Sequence, residues 1–232
     1  MARRRNAALL AVLAVAVGCR HAVPPPTPLP AGWRVLAAAP RAFSALYRLA
    51  CCGHRGLVLT VRGDGERLSL AVAVPPGGTA LAAWVEPGGG FVERMKEGCR
   101  EALPPGVLPV SADASLPIDP TLAALLLSGL LPAAARELPG MPGWVEATSG
   151  GLAWRAQVEG PEPHWTRVQL TRAGDGAPTM TAVRSDDGGT VPHRLVLKAG
   201  SVEASLELQA WRPSAPPAPP DWLAAPVCGA RP

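Results

Sequence analysis

Five cysteines and four histidines are the side chains of this 232-residue chain best suited to nucleophilic or metal chemistry. The nearest thing to a ligand set is Cys51-Cys52-Gly53-His54, three soft donors within four residues. A zinc site needs a second donor pair at comparable spacing, and none follows. His54, His164 and His193 stand alone, and each reads as a turn or strand-surface residue rather than a base or ligand. Ser149-Gly150-Gly151 lacks the flanking-glycine spacing of a nucleophile elbow. Asp186-Asp187-Gly188-Gly189 reads as a hairpin turn, because it lacks the repeated oxygen ligands and distal Glu of a calcium loop. Glycines elsewhere punctuate turns, and no strand, GxGxxG and helix follow one another to cradle a phosphate. The expectation is a protein without metal, cofactor or catalytic residues, and not an enzyme.

The chemistry these residues do support is covalent attachment. Arg3, Arg4 and Arg5 form a positive n-region, Ala7 to Val17 an apolar h-region, and small residues precede Cys19, as in a cleavable signal peptide over residues 1–18. Ala16-Val17-Gly18-Cys19 resembles the bacterial lipobox, with Ala16 where leucine is more usual. That resemblance implies lipidation of the Cys19 thiol and a membrane anchor, since two or three acyl chains hold far more firmly than one. Arg20 is not the acidic residue that resembles an inner-membrane retention signal. The expected location is therefore the periplasmic face of the outer membrane of a Gram-negative bacterium. Exported cysteines meet an oxidising compartment, which makes Cys51, Cys52, Cys99 and Cys228 disulfide candidates. A bridge between adjacent Cys51 and Cys52 is strained, and setting it aside removes the Cys99–Cys228 pairing that accompanies it. Cys99 and Cys228 are then each expected to bond one member of the adjacent pair.

The formal charge of +4 is mostly leader: removing Arg3 to Arg5 from 22 basic residues leaves a near balance with 18 acidic ones. No basic patch with interleaved aromatics remains, so no nucleic acid partner is expected. The length left after the leader suits one domain with a sizeable core.

The elements follow from apolar patterning. Asp119 is a good N-cap and Pro120 suits the first helical turn, so a helix is expected from Asp119 to Leu131, stopped near Gly129. Leu122, Leu125, Leu126 and Leu130 keep helical spacing while Ala123, Ala124 and Leu127 fill the other faces. The helix has no charged side and needs cover all round. At about a dozen residues it is too short for a bilayer, which takes ~20. Trp33 to Ala39 reads as a short helix. Strands are expected at Phe43–Leu49, Leu57–Arg62, Arg67–Val74, Ala80–Glu86 and Phe91–Lys96, joined by Gly- and Pro-rich turns too short for parallel crossovers. Glu101 to Leu116 reads as a loop. Six more strands are expected, Trp144–Thr148, Leu152–Glu159, His164–Arg172, Thr179–Ser185, His193–Lys198 and Val202–Trp211. The last places Val202, Ala204, Leu206, Leu208 and Ala210 inward against Glu203, Ser205, Glu207 and Gln209. About eleven antiparallel strands must curl, and the concave face needs a filler, which the uncharged helix provides. The fold class is mainly β (α+β), a half-open curled antiparallel β-barrel with a short helical lid or plug. Residues 19–32 read as the anchor and a proline-rich spacer, 33–212 as the domain, and 213–232 as a proline-rich tail along the outside.

Three stretches together carry a family resemblance. Arg67-Leu-Ser-Leu-Ala-Val-Ala-Val-Pro-Pro-Gly-Gly-Thr79, the Ser-Gly-Leu-Leu-Pro ending of the helix, and Val191-Pro-His-Arg-Leu-Val-Leu-Lys followed by Leu206-Glu-Leu-Gln-Ala-Trp211 resemble LolB, the outer-membrane lipoprotein receptor. The resemblance spans roughly residues 33 to 212 and implies a half-barrel with a helical lid over a cavity for lipoprotein acyl chains. It also implies a LolA-like periplasmic carrier as partner, and the expected protein is a monomer held to the membrane by its lipid anchor. Candidate cavity residues are Leu68, Leu70, Val72, Leu122, Leu125, Leu126, Trp154, Leu195, Leu197, Leu206 and Leu208. The family's membrane-contact loop reads Pro-Leu-Gly, and Pro75, Pro76 and Gly77 stand in its place. The apolar finger is here a stiff proline. The alternative function is a structural or envelope-assembly lipoprotein with a filled core that binds a protein partner.

Overall fold

The computed structural model of the chain describes residues 27–229 apart from 112, 113, 150, 173, 174, 176, 186 and 187. The leader, Cys19 and the Asp186-Asp187 turn lie outside the described residues. Before the helix come β1 (Thr27–Pro28), β2 (Phe43–Cys51), β3 (His54–Gly63), β4 (Leu68–Ala73), β5 (Thr79–Glu86), β6 (Gly89–Arg94), β7 (Cys99–Leu103), β8 (Leu108–Pro109) and β9 (Ser115–Leu116). The helix is α1 (Pro120–Ser128). After it come β10 (Arg136–Glu137), β11 (Trp144–Ser149), β12 (Leu152–Glu159), β13 (His164–Arg172), β14 (Met180–Arg184), β15 (Arg194–Ala199) and β16 (Val202–Pro213).

Fourteen of these strands form one antiparallel sheet in the order β1-β10-β11-β12-β13-β14-β15-β16-β2-β3-β4-β5-β6-β7, while β8 and β9 pair separately. The sheet is a curled half-barrel, with fourteen strands where about eleven were expected. Three additions are short or were read otherwise: β1 falls at the end of the proline-dense stretch, β7 overlaps the stretch read as a loop, and β10 has two residues. β1 and β10 are too brief for an alternation to show in sequence, and β7, five residues long, buries none of them, so it carries no apolar alternation. The two halves are joined by β16 on β2, from Ala204↔Cys51 to Pro213↔Phe43. The chain therefore leaves the sheet from one edge, β7, and re-enters at β10, next to the other edge strand, β1. Whatever lies between, the β8–β9 hairpin and α1, must bridge the two edges.

Alternation fixes the inner face. In β2, Phe43, Ala45, Tyr47, Leu49 and Cys51 are buried and the residues between them are not. In β4, Leu68, Leu70 and Val72 point the same way. The clean alternation expected for β16 breaks at a bulge between Leu208 and Ala210. The extra residue shifts the pleat by one, so Ala210 is exposed and Leu208 only half-buried. Trp211, not Ala210, then faces Ala45 and stacks on Phe43 with ring centroids 4.4 Å apart.

The helix forms as its ends dictate. Asp119 Oδ1 accepts from Leu122 N at 2.9 Å, and Gly129 closes the last turn with φ 71°. A Cβ on Gly129 would lie 1.7 Å from the Thr190 carbonyl oxygen, so a side chain has no room there. Pro120 and every residue from Leu122 to Ser128 are buried. The expected short helix at Trp33 is a single 3-10 turn, Ala31–Trp33.

The convex face is covered as well. In β5, Leu81, Ala83 and Val85 face the core, yet Ala82 and Trp84 on the opposite face are also buried. The C-terminal tail accounts for Trp84. It leaves β16, donates Ser214 N to Ala42 O, and brings Leu223 into a hollow it shares with Trp84 and Phe91. It ends against the free edge of β7, where Arg100 N donates to Pro226 O at 2.9 Å and Cys228 N to Arg100 O at 2.8 Å.

There the cysteine pairing differs from expectation. Cys99 bonds Cys228, with Cα atoms 5.1 Å apart, and Cys51 and Cys52 are free thiols. The strain argument against a Cys51–Cys52 bridge stands, but it excluded Cys99–Cys228 only on the premise that all four were bonded. Sheet order rules out the expected pairs: β2 lies five strands from β7, on the order of 20 Å at ~4.8 Å per strand, far beyond the ~7 Å Cα reach of a disulfide.

Candidate functional site

Between the concave sheet and its covers lies an apolar cavity of about 40 Å³. The sheet supplies Leu49, Leu59, Val61, Leu70 and Val72 from one half and Met180, Leu195, Leu197, Ala204 and Leu206 from the other. α1 supplies Ala123, Leu126 and Leu127, and the β8–β9 segment supplies Leu108, Pro109, Val110, Leu116 and Ile118. Every lining side chain is apolar. A single water needs ~10–15 Å³ and polar partners, so this space has room for a few waters at most and nothing to hydrogen-bond them.

Six of the sequence-predicted cavity residues, Leu70, Val72, Leu126, Leu195, Leu197 and Leu206, meet at this cavity. Leu68 instead packs beside Phe43 and Gly63, Leu122 and Trp154 are fully buried elsewhere in the core, and Leu208 sits half-buried at the bulge. Leu125 turns to the other side of α1, beside Pro40 and Pro132. Helical periodicity marks Leu122, Leu125 and Leu126 alike, and only the packing of α1 says which side meets the void. Sequence reading missed the β8–β9 contribution entirely, because two-residue strands in a proline-rich stretch carry no period; the available signal was Leu108, Val110 and Leu116 in a segment otherwise small and polar.

No ionisable side chain lines the cavity. Close by, burial raises the Tyr47 phenol above its ordinary range. Burial also pushes the Cys51 thiol up to about 12, with the neighbouring Cys52 thiol adding to the effect, so Cys51 stays a protonated, inward-facing group. Among the described residues no group of three or more His, Cys, Asp and Glu is placed to hold a metal. No described helix is long and apolar enough to cross a membrane.

The Pro75-Pro76-Gly77 loop lies between β4 and β5 and is exposed throughout. Val74 N donates to Gly78 O at 2.9 Å and Gly77 N to Val74 O at 3.0 Å, which makes a tight turn that projects Val74, 47% exposed, and both prolines outward. The register pair Val58↔Ala73 sets this turn beside the β2–β3 turn that carries Cys52.

The same architecture recurs among solved structures. A LolA superfamily protein from Nitrosomonas europaea superposes with a TM-score of 0.52 over 80% of this chain and 92% of its own, at 11% identity. The chain has the LolA/LolB fold. A domain assigned to outer membrane lipoprotein sorting from Vibrio parahaemolyticus shares this LolA/LolB fold, with a TM-score of 0.51 over 77% of this chain and 88% of its own, at 9% identity. No protein-family model matches the chain, and no curated protein matches it. In this chain α1 and the β8–β9 segment together close the concave face over the apolar cavity.

Proposed function

We propose that this protein is a non-enzymatic carrier or receptor, anchored through Cys19 at the outer membrane, that holds the acyl chains of lipoproteins and receives them from a LolA-like periplasmic carrier. The observation that carries the reading is a cavity with a wholly apolar lining beneath α1 and the β8–β9 segment, in a fold shared with a protein assigned to lipoprotein sorting. Such a site needs no catalytic group. At ~0.8 kcal/mol per CH₂, a chain of about 16 carbons gains on the order of 10 kcal/mol on leaving water, against which the cost of parting the cover is set. The 40 Å³ void cannot hold such a chain, so binding requires the cover to move. The exposed Val74–Gly77 turn is the surface that would touch the bilayer during release, with Pro76 in place of a longer apolar side chain.

The small cavity also favours a second reading, a filled-core envelope lipoprotein that binds a protein partner. Native mass spectrometry with fatty-acid analysis of the purified protein separates the two. Co-purifying acyl chains, displaced by added palmitate, are expected for a carrier. A dry core that takes up no palmitate removes the carrier reading and leaves the second.

A further inference from the structure

We infer that the hollow on the convex face, between strands β5 to β7 and the C-terminal tail, is a second binding site, and that it takes a monocarboxylate with an apolar body through Arg100. The hollow measures about 460 Å³, within the ~300–1,000 Å³ of small-molecule sites. Its apolar walls are Trp84, Phe91, Ala102, Leu103 and Leu223, and its charged groups are Arg100 and Glu86. It shares no lining residue with the concave cavity, whose walls are uncharged, so the two accept different chemistry and stand or fall separately.

Arg100 is the group left without an anion. Its guanidinium carbon lies 4.3 Å from the centre of the Phe91 ring, and its Nε is buried with no hydrogen-bond partner. A buried donor left unpaired is costly, and an incoming oxygen removes that cost. The carboxylates beside it are committed elsewhere. Glu101, next in the chain, pairs with Arg94, and Glu86 Oε1 accepts from Trp84 Nε1 at 2.7 Å. An arginine fork matches a carboxylate in two parallel bonds, while Phe91 and the leucines offer apolar surface to the rest of the ligand. Glu86 sets the limit on charge. A dianion, such as a phosphate monoester, brings a second negative charge against that carboxylate, and a monocarboxylate does not. The tail completes the site: it contributes Leu223 and holds the Arg100 backbone, whose N donates to Pro226 O and whose O accepts from Cys228 N, beside the Cys99–Cys228 bond.

Isothermal titration of the full chain with sodium naphthoate tests this. One site per chain is expected, at least about tenfold tighter for naphthoate than for uncharged naphthamide or for naphthyl phosphate. Arg100→Gln keeps the side-chain length and loses the charge, and should weaken naphthoate at least about tenfold, whereas Arg48→Gln, at an exposed arginine beside Glu207, should not. An acetylated Ala-Ala-Phe peptide that binds through its free C-terminus, and fails as its amide, identifies peptide ends as the source of the carboxylate; naphthoate binding without peptide binding identifies free acids. No naphthoate binding, or equal affinity for naphthoate and naphthamide, overturns the inference. So does naphthoate binding that survives Arg100→Gln, since the ligand then sits elsewhere. If Arg100→Gln does not fold, the naphthoate and naphthamide comparison on the wild type decides.

Discussion

The sheet carries a cover on each face, and the two are attached by different physics. On the concave side, α1 and the β8–β9 flap rest on leucine and valine side chains, and a void remains between them and the strands. On the convex side, the tail lies beside Trp84 and Phe91 and finishes in a disulfide and two backbone hydrogen bonds at β7. The inner cover is held mainly by apolar burial, which is reversible and tolerant of sliding. The outer one is pinned at its end, where it also shields a sheet edge that would otherwise offer unpaired backbone groups to another chain.

The largest expected effect comes from charging the inner cover. Leu126→Arg places a cation at a dry apolar wall, and the unpaired buried charge should cost about 3–5 kcal/mol in urea unfolding as well as abolish palmitate uptake. Unimpaired uptake would remove α1 from the account of binding. Next, Cys99→Ser/Cys228→Ser removes a bridge between residues 129 apart in sequence, with an expected loss of about 2–5 kcal/mol. Its sharper signature is selectivity: the midpoint should fall with palmitate affinity unchanged, and a lost affinity would show that the two covers are coupled. Asp119→Ala deletes the cap on Leu122 N and should cost about 1 kcal/mol by thermal unfolding.

Smaller still is a pH effect on neither cover. Burial tends to raise the Asp64 carboxyl, but the bonds it accepts from Arg67 and Glu66 outweigh that and hold its pKa below the ordinary value. A depressed native pKa contributes stability above the unfolded value of ~3.9 that fades as pH falls through the native one. Asp64→Asn should therefore lower the urea midpoint at neutral pH, and by progressively less as pH falls below the ordinary carboxylate range. Pro76→Leu should leave stability alone and raise transfer of a lipopeptide to liposomes; unchanged transfer would mean that this turn is not the membrane contact.

Much of this was legible in the chain. The strands Leu152–Glu159 and His164–Arg172 have the expected bounds, because regular alternation with one buried face admits one register. Asp119, Pro120 and Gly129 announced the helix, since a helix end is a local hydrogen-bonding problem solved by neighbouring residues. The bulge in β16 was illegible, as Leu208 to Trp211 alternates equally well in either phase and only Phe43 and Ala45 across the strand settle it. The cavity list shared this limit: Leu125 and Leu126 are equivalent in sequence and opposite in space.

By itself, then, the sequence determined the antiparallel half-barrel plan and the one uncharged helix, because both follow from the period of apolar residues and from local caps and turns. Tertiary structure alone decided the pairing of β16 with β2, the Cys99–Cys228 bond, the covered outer face of β5 and the flap over the cavity. Each of these depends on residues far apart in the chain arriving at the same place, and no local period records where a sheet's edges, or the segments that bridge them, will meet.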